Sequence, residues 1–310
     1  MTALFPLYTL QALIPYFVVL QFISGALGVA MGPMTRAWVS DESPAKSVGL
    51  FTSLWWVSLT LGQIIGPVLG TFIAQVWSFE YSFYASALLS FLTVLLIPIS
   101  FPKRRGISGG AGSQTIVGGL KSVLRDRLTR FLFLSALFAF MGVASMRSFL
   151  PLYASGQIRM STLEIGILIS ATSAAQLIAM ALLGLVSDRF GRKRMVLLGF
   201  GLSSLAFLFF FIARSSYELT LVALVVSVGL SASSFLLLSL IPEVAPARLY
   251  GTVVGVYGSF EDAGFILGPA AFGFIWAAYS PVSIFAAASL TQILGGLFLL
   301  PLIRKRCRRK

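Results

Sequence analysis

The sequence contains no histidine, a single cysteine and few charged residues, which make up 11% of its 310 positions. A soluble domain has about a quarter of its residues charged, so this chain cannot cover a water-exposed surface in the usual way. Without histidine, a transition-metal site lacks its commonest ligand, and a histidine-based proton relay is excluded. Cys307 has no second cysteine with which to form an internal disulfide. Any proton chemistry must therefore depend on Asp or Glu, and we expect no metal, no cofactor and no enzymatic activity.

The sequence is rich in long apolar segments. Hydrophobic residues make up 57% of the chain, and its mean hydropathy is +0.93. Continuous runs such as LVALVVSVGLSASSFLLLSLI, at 221–241, reach the roughly 20 residues that a helix needs to cross a bilayer. They lack the alternating polarity of a membrane β-barrel, so the predicted fold class is all-α and polytopic. We predict helices near residues 3–14, 16–39, 47–75, 80–101, 131–155, 163–186, 194–213, 217–241, 251–278 and 281–303.

The positive charges are distributed unevenly between successive connections, within a net charge of +13. Alternate connections hold nearly all of the bases, including seven within 102–130 and six in the tail from Arg304, while the others hold only Arg159 and Arg214. By the positive-inside rule, this asymmetry predicts that both ends of the chain and the 102–130 loop lie on the cytoplasmic side of a cell membrane. We expect the bases to contact anionic membrane lipids rather than nucleic acid.

A short polar phrase occurs twice between apolar runs. DESPAKSVG at 41–49 and EVAPARLYG at 243–251 share an acid, two spacers, Pro-Ala, a base, two spacers and a glycine. The same register aligns GQIIGPVLGTFI at 62–73 with GFILGPAAFGFI at 264–275 without a gap. Such a repeat predicts two related helical halves. The predicted organisation is a first half over 1–101, a central cytoplasmic loop over 102–130 and a second, six-helix half over 131–310.

The repeat register also predicts what the first half lacks. Counting back from the start of the second half, the first half would begin about 70 residues before Met1. The first apolar run, at 3–14, is too short to cross a bilayer. We therefore expect about ten helices of a full set of twelve, with about two and a half N-terminal helices missing upstream.

The connection between the predicted sixth and seventh helices reads GLVSDRFGRKR, at 184–194. Two glycines and several charges in so short a segment indicate a tight cytoplasmic turn, and an ordinary positive-inside loop would explain them. Their order and spacing resemble the signature loop of the major facilitator superfamily of secondary transporters, and the resemblance extends over essentially the whole chain. The matching residues are Gly184, Val186, Ser187, Asp188, Arg189, Gly191, Arg192 and Lys193.

That resemblance implies a function and a mechanism. Members of the family consist of two six-helix repeats that rock against each other around a site near the middle of the membrane. By resemblance, Asp188, Arg189 and Arg192 would hold the inner ends of the two halves together and release them as the gate opens. The implied activity is secondary active transport of a small molecule by alternating access, in a protein that we expect to be monomeric.

A second pattern consists of Gly62, Gly66 and Gly70 with Pro67 between them. Glycines four residues apart line one helix face on which a neighbouring helix can pack closely, and the proline bends the helix. Generic helix packing would explain the pattern. In the family, a similar pattern on the fifth helix is associated with antiporters, although Thr71 stands here in place of a glycine. The resemblance therefore implies proton-coupled efflux of drug-like or metabolite compounds; the alternatives are an importer of sugars or other metabolites and a non-transporting truncated product.

Glu261 and Asp262 lie about ten residues into a predicted helix, near the middle of the bilayer. A charge there costs at least about 2.5 kcal/mol on insertion scales, so an acid at this depth is a functional candidate. A carboxylate in a low dielectric beside a like charge also holds a proton more readily. Helix rotation turns Glu261 towards a packed neighbour and leaves Asp262 freer to face a cavity. We assign Asp262 as the coupling or cation-binding carboxylate; acids that are neutral or paired in a structural network are the alternative.

Four further polar positions lie within predicted helices. Arg147 is the candidate partner of the two acids, or its long side chain could extend to the membrane surface. Gln176 and Gln63 could line the transport cavity or hold helices together, as could Gln21. Gln21 also stands where exporters of the family often carry an arginine linked to proton transfer. The resemblance thus leaves proton coupling to Asp262 or to a residue upstream.

Overall fold

The computed structural model describes residues 14–28, 35, 48–100, 122–245 and 249–304, and the regular structure of these residues is helical. In chain order the helices are α1 (Ile14–Gly28), α2 (Val48–Val76), α3 (Phe79–Ser100), α4 (Arg127–Gly156), α5 (Thr162–Phe190), α6 (Arg192–Leu208), α7 (Ser216–Leu238), the short α8 (Ile241–Val244), α9 (Tyr250–Ala278) and α10 (Ser283–Arg304).

Most of these helices suit a lipid environment. In the part of the chain that the structure describes, seven helices are long and apolar enough to cross a membrane, namely α2 to α7 and α10. Helix α9 has the same length as α2 and α5, 29 residues, and it carries Glu261 and Asp262 near its middle. The predicted all-α, polytopic fold class is confirmed.

The start of α4 is set by a cap that the apolar pattern does not reveal. The helix predicted over 131–155 begins earlier, at Arg127. Asp126 precedes it in an extended conformation, and its carboxylate accepts hydrogen bonds from the backbone N–H and the hydroxyl of Thr129, at 2.9 and 2.7 Å. Such a carboxylate satisfies an N–H group that has no partner inside the helix, so the helix extends back to the cap.

Two predicted helices are shorter in the structure. The helix predicted over 217–241 is interrupted, because α7 ends before Pro242 and the proline lies in the first turn of the separate helix α8. Proline has no N–H to continue the hydrogen-bond ladder, but it is tolerated where a helix begins. The helix predicted over 194–213 is α-helical to Leu208 and then tightens into a 3₁₀ turn over Phe209–Phe211.

The helices group into two compact units. The first contains α1, α2, α3 and Thr162–Ser170 of α5; the second contains α4, the rest of α5 and α6 to α10. In the first unit α2 packs against α3, and the hydroxyl of Ser82 donates to the carbonyl of Gly70 at 2.7 Å. Apart from Ile14, the helix predicted over 3–14 lies outside the described residues, as does most of the loop predicted over 102–130.

Helix α4 is central to the second unit. It packs against α7, α9 and α10, while α6 packs against α7 and α10. Gly264 brings α9 so close to α4 that an added Cβ would lie 2.7 Å from the carbonyl oxygen of Leu137 and 2.9 Å from the Cβ of Phe140. One helical turn or so before Gly264, Phe260 stacks on Phe133 of α4 with ring centroids 5.2 Å apart. The middle of the α4–α9 contact therefore has no room for a side chain at Gly264.

Gln292 of α10 is fully buried and connects four helices. Its Oε1 accepts hydrogen bonds from the hydroxyls of Ser203 on α6 and Ser233 on α7, at 3.2 and 3.4 Å. Its Nε2 donates to the carbonyls of Phe138 and Ala139 on α4, at 3.2 and 3.4 Å. Lipid offers no water to a buried amide, so these bonds fix α10 against its three neighbours.

Gln292→Leu removes this network at nearly unchanged side-chain volume. We expect it to lower the free energy of unfolding by about 1 kcal/mol, which is typical of interhelical hydrogen bonds in membranes. The matched control is Gln176→Leu, because Gln176 accepts its hydrogen bond from Ser231 through the backbone carbonyl. Reversible unfolding in mixed detergent micelles gives the free energy of unfolding of both variants. Equal losses in the two variants would show that Gln292 has no special part in joining the helices.

Candidate functional site

The signature loop folds as a one-residue break between two helices. Helix α5 continues to Phe190 rather than ending at the predicted residue 186, and α6 begins at Arg192. Gly191 between them has a φ of 92°, a conformation that L side chains rarely adopt. Its N–H donates to the carbonyl of Ser187 at 2.9 Å and closes the last turn of α5. The sharp reversal of the chain therefore requires glycine at position 191.

Lys193, in the first turn of α6, connects this loop to two other helices. Its Nζ lies 3.2 Å from Oε2 of Glu243 on α8 and donates to the carbonyl of Leu302, in the last turn of α10, at 3.1 Å. Arg192 donates from Nη1 to the carbonyl of Ser239, just after α7, at 3.4 Å. The carbonyls in the last turn of a helix lack partners within it and attract cations. We call these five residues the loop cluster.

The loop cluster explains the acid of the second polar phrase. Glu243 opens the segment 243–251, and its carboxylate is the counter-ion of Lys193. The side chains of Lys193 and Glu243 are 19% and 32% exposed, so solvent screens their attraction less than that of a fully exposed pair. The two residues are distant in sequence, and the packing of α6 against α7 brings them together.

The other residues of the signature loop are only partly placed. Arg189 and Arg192 are exposed, and the carbonyl of Gly184 accepts a hydrogen bond from the hydroxyl of Ser187 at 2.8 Å. The side chain of Asp188 lies outside the described part of the structure. The gating roles expected of Asp188, Arg189 and Arg192 therefore stay predictions.

Lys193→Met removes the charge of the loop cluster but keeps the side-chain length. We expect a loss of about 1 kcal/mol in the free energy of unfolding, because Glu243 is left partly buried without its counter-ion. The matched control is Arg194→Met, which removes an exposed base from the adjacent position. A double-mutant cycle with Glu243→Gln isolates the pair. Strictly additive losses would contradict a direct interaction between Lys193 and Glu243.

The predicted glycine pattern lies on one continuous helix, α2, with Pro67 inside it. At its three glycines an added Cβ would meet no described atom within 4 Å. The close contact is at Thr71 instead: a Cβ added to Gly166 of α5 would overlap the Thr71 hydroxyl and lie 2.8 Å from the carbonyl oxygen of Pro67. Thr71 donates to that carbonyl at 2.7 Å. Thr71, the residue that departs from the family pattern, therefore makes the close contact. The three glycines, which do not make it, are Gly62, Gly66 and Gly70.

The structure brings two of the predicted charged residues together beside the α4–α9 contact. Glu261 of α9 is half-buried, and its charge attracts that of Arg147 on α4. The guanidinium carbon of Arg147 lies 5.3 Å from the ring centroid of Phe265, one turn beyond Glu261. Asp262 is exposed. The structure therefore places Arg147 over an aromatic ring that the sequence did not single out, and within electrostatic range of Glu261.

The candidate glutamines differ in their surroundings. Gln176 is half-buried on α5, whereas Gln63 on α2 and Gln21 on α1 are exposed. Their proposed contribution to a transport cavity stays a prediction. Within the described residues, no group of three or more His, Cys, Asp or Glu side chains is placed to hold a metal ion.

Several helices that are long and apolar enough to cross a membrane define a multi-pass membrane protein. The chain belongs to the Major Facilitator Superfamily, whose family model matches residues 1–163 and 132–309. The resemblance predicted from residues 184–194 is confirmed.

Three relatives of the chain are named as transporters or resistance proteins. The chain is 22% identical over 277 residues to the uncharacterized MFS-type transporter MJ1560 of Methanocaldococcus jannaschii, covering 87% of this chain and 70% of the relative. It is 20% identical over 302 residues to the multidrug resistance protein MdtG of Salmonella paratyphi A, covering 94% and 72%. It is 24% identical over 280 residues to the class G tetracycline resistance protein of Vibrio anguillarum, covering 87% and 70%.

Solved structures show the same fold. A crystal structure of a POT family transporter in complex with a thioalcohol-conjugated peptide matches with a TM-score of 0.80, over 97% of this chain and 79% of that chain. The sequence identity is 14%, so this likeness concerns the fold and carries no information about the substrate.

Proposed function

We propose that the protein is a secondary active transporter that exports small drug-like or metabolite compounds by alternating access, driven by a proton gradient. The observation that carries the proposal is the similarity, over 94% of the chain, to a protein named for multidrug resistance. The similarity to a tetracycline resistance protein supports the same direction of transport. The glycine pattern on α2, which the family resemblance associates with antiporters, favours export over import of sugars or other metabolites.

In this proposal the loop at 184–194 is part of the cytoplasmic gate. The loop cluster holds Arg192 and Lys193 against the ends of α7 and α10, so the loop moves together with these helices. We assign Asp188, Arg189 and Arg192 to closing the cytoplasmic side. The exposed bases of the loop and of the tail would meet anionic lipid on that side, where both chain ends are expected to lie.

Asp262 is the proposed coupling carboxylate. The charge of Glu261 is attracted by that of Arg147, whereas Asp262 is exposed on the same helix. An acid at such depth in the membrane is typical of a proton or cation pathway. Gln176 and Gln63 are assigned to the polar lining of that pathway.

Everted membrane vesicles from cells that express the protein test the proposal. Export from the cell corresponds to uptake into such vesicles, and an antiporter is driven by an acidic lumen. We expect an imposed acidic lumen to increase the uptake of a fluorescent cationic dye several-fold over vesicles without the gene. A protonophore should remove the increase.

Each other outcome of this experiment has a distinct meaning. Dye uptake that is unaffected by the pH gradient contradicts proton coupling. Uptake of sugars or other nutrients into right-side-out vesicles, without transport of any dye, supports an importer. Vesicles that transport neither class of compound support a non-transporting product.

A further inference from the structure

The α4–α9 contact contains an aromatic and charged cluster that we call the ring cluster, formed by Arg147, Glu261, Phe265 and Phe140. Phe265 follows Glu261 by four residues, so the two side chains are neighbours on the surface of α9. The ring of Phe140 on α4 packs against the Phe265 ring with centroids 5.5 Å apart. The guanidinium of Arg147 lies over the Phe265 ring, 5.3 Å from its centroid.

The ring cluster is accessible from the surface of the second unit. Arg147 is exposed, and Glu261 and Phe265 are half-buried. Asp262, three residues before Phe265, is an exposed second carboxylate next to the same ring. A molecule that displaces the Arg147 side chain would therefore meet a ring face with two carboxylates one turn away.

This arrangement has the chemistry of a cation site. The face of an aromatic ring attracts a cation through the ring's quadrupole, and the attraction grows when water is excluded. A carboxylate beside the ring adds a formal charge of the opposite sign. In the structure the site already holds a cation, the guanidinium of Arg147, which is tethered to α4 and lies where a free ligand would lie.

We propose that Phe265 and Glu261 form a binding site for lipophilic organic cations, and that the Arg147 guanidinium occupies this site until a substrate displaces it. The proposal rests on the proposed export function and names its substrate class. It also gives Arg147 a role beyond neutralising Glu261. A substrate binds only to molecules in which the tethered competitor has left the site. Its apparent affinity is therefore the intrinsic affinity multiplied by the fraction of molecules with a free site.

Equilibrium binding to the intact chain in nanodiscs of uncharged lipid tests the site. The probes are tetraphenylphosphonium and tetraphenylborate, which share a shape and carry permanent charges of opposite sign. We expect Arg147→Gln to increase the affinity for tetraphenylphosphonium about tenfold, because the competitor is gone. We expect Phe265→Leu to decrease it severalfold and Phe265→Tyr to preserve it, because tyrosine keeps the ring.

A double variant separates displacement from a simple charge effect. If Arg147 acts by covering the face of the Phe265 ring, removing Arg147 should increase the affinity little once the ring is absent. Arg147→Gln in the Phe265→Leu background should then change the affinity for tetraphenylphosphonium by less than about twofold. If Arg147 repels the probe only through its charge, the tenfold gain persists in that background and the displacement mechanism is wrong. Arg159→Gln is the matched control for loss of an exposed arginine in the connection after α4, and it should leave affinity unchanged.

Two further results would overturn the site. Tighter binding of tetraphenylborate than of tetraphenylphosphonium to the wild-type chain, lost in Arg147→Gln, would make Arg147 an anion ligand. Unchanged tetraphenylphosphonium affinity in both Phe265→Leu and Glu261→Gln would place the cation elsewhere. If Arg147→Gln does not fold, the double variant Arg147→Gln/Glu261→Gln replaces it, because removing both charges leaves neither without its partner. The comparison of Phe265→Leu with Phe265→Tyr tests the role of the ring in either case.

The vesicle experiment distinguishes failure of this site from failure of the proposed function. Gradient-driven dye uptake combined with unchanged binding in the Phe265 variants would remove the site and keep the transporter. Binding that changes as expected in a chain that never transports would keep the cation site and remove the export function.

Discussion

Asp262→Asn should reduce gradient-driven dye uptake to the level of vesicles that lack the transporter, while substrate exchange at equal pH continues. Asparagine resembles a protonated aspartate in size and polarity, but it cannot release or take up a proton. If Asp262 carries the coupled proton, the variant can still bind substrate and change conformation, and only the link to the gradient is lost. Uptake with an imposed acidic lumen and counterflow at uniform pH measure the two activities separately.

Two other acids serve as controls for Asp262. Glu80→Gln changes an exposed acid in the first turn of α3 and should leave both activities intact. Glu261→Gln should reduce transport but keep its dependence on the gradient, because Glu261 interacts with Arg147 and is not assigned to carry the proton. A full response to the gradient in Asp262→Asn would remove Asp262 from the coupling mechanism, and loss of the response only in Glu261→Gln would exchange the two assignments.

The helices were largely predictable because lipid imposes a simple rule on sequence. A spanning helix needs about 20 predominantly apolar residues, so runs such as 221–241 reveal its position without reference to its neighbours. Helix ends were less predictable because they depend on single polar groups. Asp126 extends α4, Gly191 allows α5 to continue to the break, and Pro242 separates α8 from α7.

The candidate sites were predictable only where their chemistry is local. The signature loop could be recognised because its glycines and charges are consecutive, and its sharp turn at Gly191 follows from them. Its partner Glu243 could not be assigned, because the contact with Lys193 depends on how α6 and α7 pack. Phe265 and Gln292 were missed for the same reason: an aromatic ring and an amide within apolar helices are distinguished only by what they contact.

The internal repeat includes two pairs of glycines, one on α2 and one on α9. In the repeat register Gly264 and Gly268 correspond to Gly62 and Gly66. The structure shows α4 against the second pair, with an added Cβ at Gly268 only 3.1 Å from the carbonyl oxygen of Met141. At the first pair no described atom lies within 4 Å. The packing function of these glycines is therefore visible in the second copy, and it can be tested there.

Gly264→Ala should destabilise the protein, whereas the same substitution at Gly255 of the same helix should not. An alanine Cβ at Gly264 would lie 2.7 Å from the carbonyl oxygen of Leu137, and a backbone atom cannot rotate out of the way. The two helices must then separate, at a cost of about 1–3 kcal/mol for an overpacked contact. Reversible unfolding in mixed detergent micelles provides the free energy for each variant.

Gly255→Ala is a matched control because an added Cβ there meets nothing within 4 Å and alanine favours a helix over glycine by roughly 1 kcal/mol. We therefore expect the two substitutions to have opposite signs: a loss at Gly264 and no change or a gain at Gly255. The difference also bears on transport, because the ring cluster lies on the same α4–α9 contact, and helices forced apart at Gly264 should weaken the placement of Arg147 over Phe265. If Gly264→Ala is as stable as Gly255→Ala, the close approach of α4 and α9 is not what holds that cluster together.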